Sequence, residues 1–297
     1  MNATEQAAKI LCAGGLVIIP TETVYGLAAN ALDESAVAKI FEAKGRPEQN
    51  PLIVHVYDHE HAQNLVSAWP EIAQRLAEAF WPGPLTMILP KAPNVPDLTT
   101  AGLPTVALRA PRHPVARDVL RLSGLALAAP SANRYTRLSP TRFQDLDPEL
   151  LARVDLALDG GDCEIGIEST VVDLCHGPPK VLRPGLITQS QIEEATQGIA
   201  NQNLEMETRS PGTVKRHYSP GYKIKLVDRA STAHPALVLI PTNSPDHVLM
   251  PSDEHDYAAM LYKVLARFER QGIELLEIER PPDNWSAVLD RLRRASA

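Results

Sequence analysis

Short apolar runs alternate along this chain with longer segments whose apolar positions recur at helical spacing. The run Leu16-Val17-Ile18-Ile19, ending at Pro20, reads as a strand. Further strands are expected at 52–56, 85–89, 106–108, 125–129, 154–158, 171–174 and 180–182. Helices are expected at 4–13 and 33–44, and near 71–79, 114–122, 141–146 and 188–197. Asn2 stands three residues before Glu5, a capping-box signature for the first helix. In the second, Val37, Ile40 and Phe41 share a face, and Gly45 suits its C-terminal cap. The alternation predicts an α/β sheet protein. Some neighbouring strands are joined too tightly for uniform parallel winding.

The pattern breaks at 198–221. Residues 198–209 are polar, and Ser210-Pro211-Gly212 and Ser219-Pro220-Gly221 bracket the six residues between them, as suits an irregular linker. A small α/β pattern then resumes, with strands at 224–227, 236–240 and 273–278 and helices at about 254–271 and 285–295. The expected organisation is a first domain at 1–197, a linker or lid at 198–221 and a small C-terminal α/β domain at 222–297.

Composition narrows the function. A net charge of −7 does not advertise a protein whose main task is gripping a polyanion. Cys12, Cys163 and Cys175 are odd in number and lack metal-site spacing, so buried free thiols in a reducing compartment are expected. The N-terminus lacks a basic segment followed by an apolar one, and no apolar run is long enough to span a bilayer. The expected location is the cytoplasm, with no membrane contact.

Candidate chemistry sits at the ends of the apolar runs. The hydroxyl-rich turn Pro20-Thr21-Glu22-Thr23-Val24-Tyr25-Gly26 follows the first strand. Lys44 and Arg46, one residue apart at a helix end and before Pro47, can face one anionic group, with Asn50 just beyond. The same pair would also complement a helix dipole in solvent. In Thr105-Val106-Ala107-Leu108-Arg109, alternation puts Thr105, Ala107 and Arg109 on one face and the apolar pair on the other, as where a sheet lines a cavity. His55 is a polar break in an apolar strand; as a lone histidine it also fits a satisfied core position. His55, His59 and His61 have no supporting carboxylate spacing, so no protein metal site is expected. Ser131-Ala132-Asn133 follows a strand where open α/β sheets bind ligands. Ser139 either caps a helix or reaches a phosphate, and Glu168 reads as an ordinary turn carboxylate or a weak base. No GxxxxGK[ST] and no GxGxxG between strand and helix is present, so side-chain cations and hydroxyls would have to hold any nucleotide phosphates.

Together these motifs resemble the YrdC-like family, the L-threonylcarbamoyladenylate synthases. The resemblance implies a twisted, mixed, open sheet with helices and a concave site for ATP and L-threonine. By motif it assigns Thr23, His55, Arg109, Ala129 and Ser169 to threonine, and Arg46, Asn50, Thr105, Ser131, Ser139 and Arg183 to ATP. Lys44 and Asn133 belong to the Lys-x-Arg and Ser-x-Asn signature and are expected to act on phosphates and metal, with Lys44 and Arg46 as the catalytic cations. The segment Arg216-His217-Tyr218-Ser219-Pro220 resembles the linker of the long form, which carries a small Rossmann-like C-terminal domain. His217 or Tyr218 is expected to touch ATP from that linker. Three departures stand out: Thr213 in place of a Met, Leu138 where a Pro is common, and a short final domain.

The activity implied is formation of threonylcarbamoyl-AMP and pyrophosphate from L-threonine, bicarbonate and ATP, with Mg2+ on the triphosphate. The product would feed a downstream tRNA threonylcarbamoyl transferase, and a weak contact with tRNA or double-stranded RNA is a further expectation. Two other readings stand beside it. One is a related carbamoyl transfer, although the acylphosphatase-like and zinc-ribbon segments of such enzymes are not found in this sequence. The other is an RNA-binding or ribosome-associated module without turnover, against which the acidity weighs.

Overall fold

The computed structural model describes residues 2–199, 201, 204, 206–210 and 218–297. Nine strands form one mixed sheet: β1 Val17–Ile19, β2 Gly26–Asn30, β3 Ile53–His55, β4 Leu85–Pro90, β5 Thr105–Arg109, β6 Leu127–Ala128, β7 Leu156–Ala157, β8 Thr170–Asp173 and β9 Lys180–Arg183. Their spatial order is β7-β1-β2-β6-β3-β5-β4-β8-β9. β3/β5, β4/β8 and β1/β7 pair in parallel and the remaining neighbours antiparallel. The helices are α1 Ala3–Cys12, α2 Glu34–Lys44, α3 His59–Gln63, α4 Glu71–Phe80, α5 Asp97–Thr100, α6 Pro114–Ser123, α7 Pro148–Leu151 and α8 Gln189–Ala195.

Strand alternation divides the core between the two faces of the sheet. Ile18, Val54, Leu108 and Met87 point into a large apolar layer with α2 and α4. Val17, Ile19, Ala28 and Leu127 point the other way, into a smaller layer with α1 and α6. That second layer covers only the β1-β2-β6 part of its face. Beyond it, on the same face, lie Ile53, Ala107, Ile88 and Val171 as a small separate cluster. Among the described residues no helix covers the stretch between, where a ligand can reach the sheet.

The second sheet is all parallel. β10 Lys223–Val227, β11 Ala236–Val238, β12 His247–Leu249 and β13 Leu275–Glu279 are ordered β10-β13-β11-β12, with α9 Glu254–Gln271 and α10 Ser286–Ala295. This domain packs firmly on the first. One apolar cluster joins Val24, Leu138, Ile165 and Ile167 of the large domain to Leu261, Leu265 and Leu292 of the small one. Lys263 also bridges to Asp162 at 2.9 Å.

Several elements differ from the sequence reading. β2 and β12 were not expected, and the helix expected at 141–146 is a 3-10 turn over Phe143–Asp145. The strand expected at 125–129 shortens to Leu127–Ala128. Of the three thiols expected to be buried, Cys163 and Cys175 are, but Cys12 is exposed. Among the described residues, no helix is long and apolar enough to cross a membrane.

Candidate active site

A cavity opens on the uncovered stretch of the large sheet. Its walls are the turn after β1 (Thr21, Thr23), the last residues of β3 (His55), β5 (Arg109) and β9 (Arg183), the segment after β6 (Ala129, Ser131), Ser169 just before β8, and Arg46 beyond α2. Six strand ends and one helix end therefore converge on it. His55 and Arg109 are direct neighbours across the parallel β3/β5 pair.

Arg109 is built in. It donates through Nη2 to Glu22 Oε1 at 2.6 Å, through Nη1 to Thr23 Oγ1 at 2.9 Å and through Nε to the Gly83 carbonyl at 3.2 Å. Burial alone would raise the Glu22 carboxyl's pKa, but the charge and hydrogen bond of Arg109 overcome it and hold the group below the ordinary value. Thr23 is fully buried, its hydroxyl also paired with that of Thr21 at 2.9 Å. Glu22 stands inside the quoted motif with no local sign of its role; its partner lies 87 residues away.

His55 is different. It is 3% exposed and lines the cavity, yet among the described residues neither ring nitrogen has a partner. Burial, with Arg109 beside it, drives its pKa well below the ordinary histidine value, so the imidazole is neutral. A neutral ring offers one donor and one acceptor to whatever fills the cavity. A satisfied core histidine would have partners, and among the described residues His55 has none.

Arg46 reaches the cavity from the loop that Gly45 opens. Gly45 takes the left-handed conformation, φ +60°, that ends α2. Arg46 donates to the carbonyls of Asn50 at 3.3 Å and Pro51 at 2.9 Å, and among the described residues it has no carboxylate partner. Burial pulls its pKa down to about 10, yet it remains a cation at neutral pH. Arg183 lies across the cavity, donating to Ser169 through Nη2 to the hydroxyl at 3.0 Å and through Nε to the carbonyl at 3.1 Å. Ser169 Oγ also shares a hydrogen bond with Thr86 at 2.8 Å.

The other sequence candidates lie around this centre. Lys44 is not among the cavity-lining residues; it is buried and donates to the carbonyls of Ser131 and Asn133, tying the Ser-x-Asn turn to α2. Its ammonium is pulled well below its ordinary pKa by burial and then by Arg46. Asn133 donates to the carbonyls of Arg134 and Arg137 while its Oδ1 has no partner among the described residues. Asn50 lines an adjoining recess that shares Pro51 with the cavity, and its Nδ2 also lacks a partner among them. Thr105 donates to the Glu207 carbonyl at 3.3 Å, fastening the connecting segment to β5. Ser139 neither caps a helix nor lines the cavity: it donates to Glu168 Oε1 at 2.6 Å. Glu168 itself is a buried cavity-wall carboxylate and not the ordinary turn carboxylate read from the sequence. Tyr218 lines the cavity from the connecting segment, and His217 lies outside the described residues. Among the described residues, no group of three His, Cys, Asp or Glu side chains could hold a metal ion.

A mixed sheet whose strand ends gather buried arginines, hydroxyls and an imidazole without a ring-nitrogen partner among the described residues is a pocket in an α/β protein that suits a small anionic, hydroxylated ligand. Comparison with known proteins gives the lineage. The Sua5/YciO/YrdC family model, described as "Telomere recombination", matches residues 9–185, and that of "Threonylcarbamoyl-AMP synthase, C-terminal domain" matches 187–297. The chain belongs to the Sua5/YciO/YrdC family, in its long form. It is 39% identical to the threonylcarbamoyl-AMP synthase of Pyrococcus abyssi, over 98% of this chain and 93% of that one. It is 38% identical to the threonylcarbamoyl-AMP synthase of Bacillus subtilis, over 98% and 92%. The crystal structure of P. abyssi Sua5 complexed with L-threonine superposes with a TM-score of 0.88 at 36% identity, covering 99% of this chain and 94% of that one.

Proposed function

We propose that this chain is a threonylcarbamoyl-AMP synthase, supplying activated threonine for N6-threonylcarbamoyladenosine in tRNA. The observation that carries the reading is the cavity of a nearly full-length relative of such enzymes, where a neutral His55, with no ring-nitrogen partner among the described residues, lines one wall with the buried arginines Arg46, Arg109 and Arg183. Arg109, already neutralised by Glu22, presents Thr23 and shapes the threonine end. His55, Ala129 and Ser169 complete that end. Arg46 and Arg183, with Ser131 beside them and Asn133 and Asn50 nearby, form the nucleotide end; Thr105, Lys44 and Ser139 hold its walls. His217 or Tyr218 would touch ATP from the connecting segment.

The chemistry asks little of a protein nucleophile. Threonine's amine captures CO2 or bicarbonate as a carbamate, with loss of water when bicarbonate is the source. A carbamate oxygen then attacks the α-phosphate of ATP; the new P–O bond forms as the bond to pyrophosphate breaks. Positioning the two reactants and stabilising charge on the phosphates are the tasks that the arginines suit. Mg2+ enters with ATP as part of the substrate. The mixed anhydride is water-sensitive, which suits a buried cavity and prompt transfer to a downstream tRNA threonylcarbamoyl transferase. Any tRNA contact by this chain would be weak, given its net charge of −7.

Pyrophosphate release measured with each amino acid, with and without bicarbonate, tests the proposal. The expected result is release that needs L-threonine and bicarbonate together and falls by orders of magnitude with valine, whose missing hydroxyl leaves buried partners unpaired. Equal turnover with valine, or turnover indifferent to bicarbonate, would overturn it.

A further inference from the structure

The reaction scheme leaves one buried set of contacts unused, and it runs from the C-terminal domain to the cavity wall. Glu168 lines the cavity beside Ser169, and both of its carboxylate oxygens already accept from the protein itself. Oε1 accepts from Ser139, while Oε2 accepts from Arg291 Nε at 2.7 Å and from Tyr262 Oη at 3.2 Å. Arg291 Nη2 also donates to the Glu168 carbonyl at 3.3 Å, and Nη1 to Asp290 at 2.7 Å. Arg291, on α10, is 0% exposed and does not line the cavity. It does touch a residue that does: its guanidinium lies 5.1 Å from the ring centre of Tyr218. That ring stacks on Tyr262 at 6.0 Å. Tyr218 holds a left-handed backbone, φ +58°, which a bulky residue adopts only when its surroundings impose it.

Electrostatics gives these contacts a purpose. Arg183 is close enough to Glu168 for each to feel the other's charge. A carboxylate in the wall of an anion cavity would repel phosphate and draw Arg183 to itself. With Arg291 against it, Glu168 is matched from behind, and Arg183 keeps its hydrogen bonds to Ser169 in the cavity wall. Removing one partner of such a buried pair strands the other charge. Here the stranded charge would stand in the cavity wall.

We infer that Arg291 is a positioning residue for the synthase reaction: from the C-terminal domain it neutralises Glu168 and seats Tyr218, and so sets the affinity of the nucleotide end of the cavity. The inference rests on the synthase reading. It also gives the small domain a task that needs no ligand of its own.

The test is a charge-rescue cycle in the full-length protein, read by steady-state kinetics for both substrates and by thermal unfolding. Arg291→Met should raise the KM for ATP by about tenfold, with a much smaller change in the KM for threonine. Adding Glu168→Gln should bring the ATP KM back towards wild type, although the double variant stays less stable, because the stacking on Tyr218 is still missing. Should Arg291→Met not fold, Arg291→Gln, which keeps a donor and removes the charge, is read the same way. An ATP KM unchanged per folded molecule, equal rises in both KM values, or no rescue by Glu168→Gln would make Arg291 a purely structural residue. Wild-type protein that releases no pyrophosphate would sink the synthase reading instead, so the two failures are distinguishable.

Discussion

The two sheets of this protein offer comparable places for a ligand and treat them in opposite ways. In the large sheet, the strand ends leave polar atoms buried without a partner among the described residues: both nitrogens of His55, with Asn50 Nδ2 and Asn133 Oδ1 close by. In the small parallel sheet, the corresponding ends are closed by the protein's own carboxylates. Glu279, the last residue of β13, accepts from the amides of Leu239 at 2.8 Å and Ala230 at 3.2 Å, and Glu277 accepts from that of Ser231 at 2.8 Å. Those amides lie in the loops after β10 and β11, where a parallel α/β sheet usually receives a phosphate. The unpartnered groups that the small domain does bury, Glu254 Oε1 and Tyr257 Oη, sit on helix α9 and not at a strand end. The topology permits a site in both places. Unsatisfied buried polar atoms favour the large-sheet site, since such atoms are costly unless a ligand completes them.

The comparison breaks first if Arg46 proves dispensable. Arg46→Ala should lower turnover by roughly two to three orders of magnitude, as for loss of a charge-stabilising donor. Because its guanidinium also holds the Asn50 and Pro51 carbonyls, some stability goes with it, so turnover must be normalised to folded protein. Normal activity per folded molecule would reduce Arg46 to a loop anchor.

His55 sharpens the contrast with a smaller effect. His55→Leu should raise the KM for threonine by roughly ten- to a hundredfold, the range for losing a hydrogen-bonding partner in a buried site. The same change should leave the unfolding temperature of the ligand-free protein level or higher, because it removes two unpaired nitrogens from the interior. A lower unfolding temperature with an unchanged KM would return His55 to the core.

Much of the fold was legible because β-branched and leucine-rich runs such as 16–19, 52–56 and 85–89 are short, apolar and well bounded. β2 was not, because Gly26-Leu27-Ala28-Ala29-Asn30 has no β-branched or aromatic residue. It is a strand through its pairing with β1 and β6, a tertiary effect. The segment at 141–146 has a helix-like start, but Pro148 disfavours helical backbone at Asp147, and one 3-10 turn is what remains. The site shows the same division. Thr23, His55, Arg109, Ser131 and Ser169 were readable as local motifs, and they meet in the cavity. Lys44 and Arg46 looked like one cationic pair. The left-handed turn at Gly45 separates them, sending Lys44 to two backbone carbonyls and Arg46 to the cavity. The Glu168–Arg291 contact spans 123 residues and leaves no local signature, so folding alone reveals it.

The most direct test of the contrast is calorimetric titration of MgATP into wild-type protein, Arg46→Ala and Glu279→Gln. The prediction is one nucleotide per chain in wild type, binding lost or severely weakened in Arg46→Ala, and wild-type stoichiometry and affinity in Glu279→Gln. The last variant should be altered only in stability, by about 1 kcal/mol for its weakened backbone contacts. Nucleotide binding that survives Arg46→Ala and disappears in Glu279→Gln would put the site in the small sheet and contradict the account.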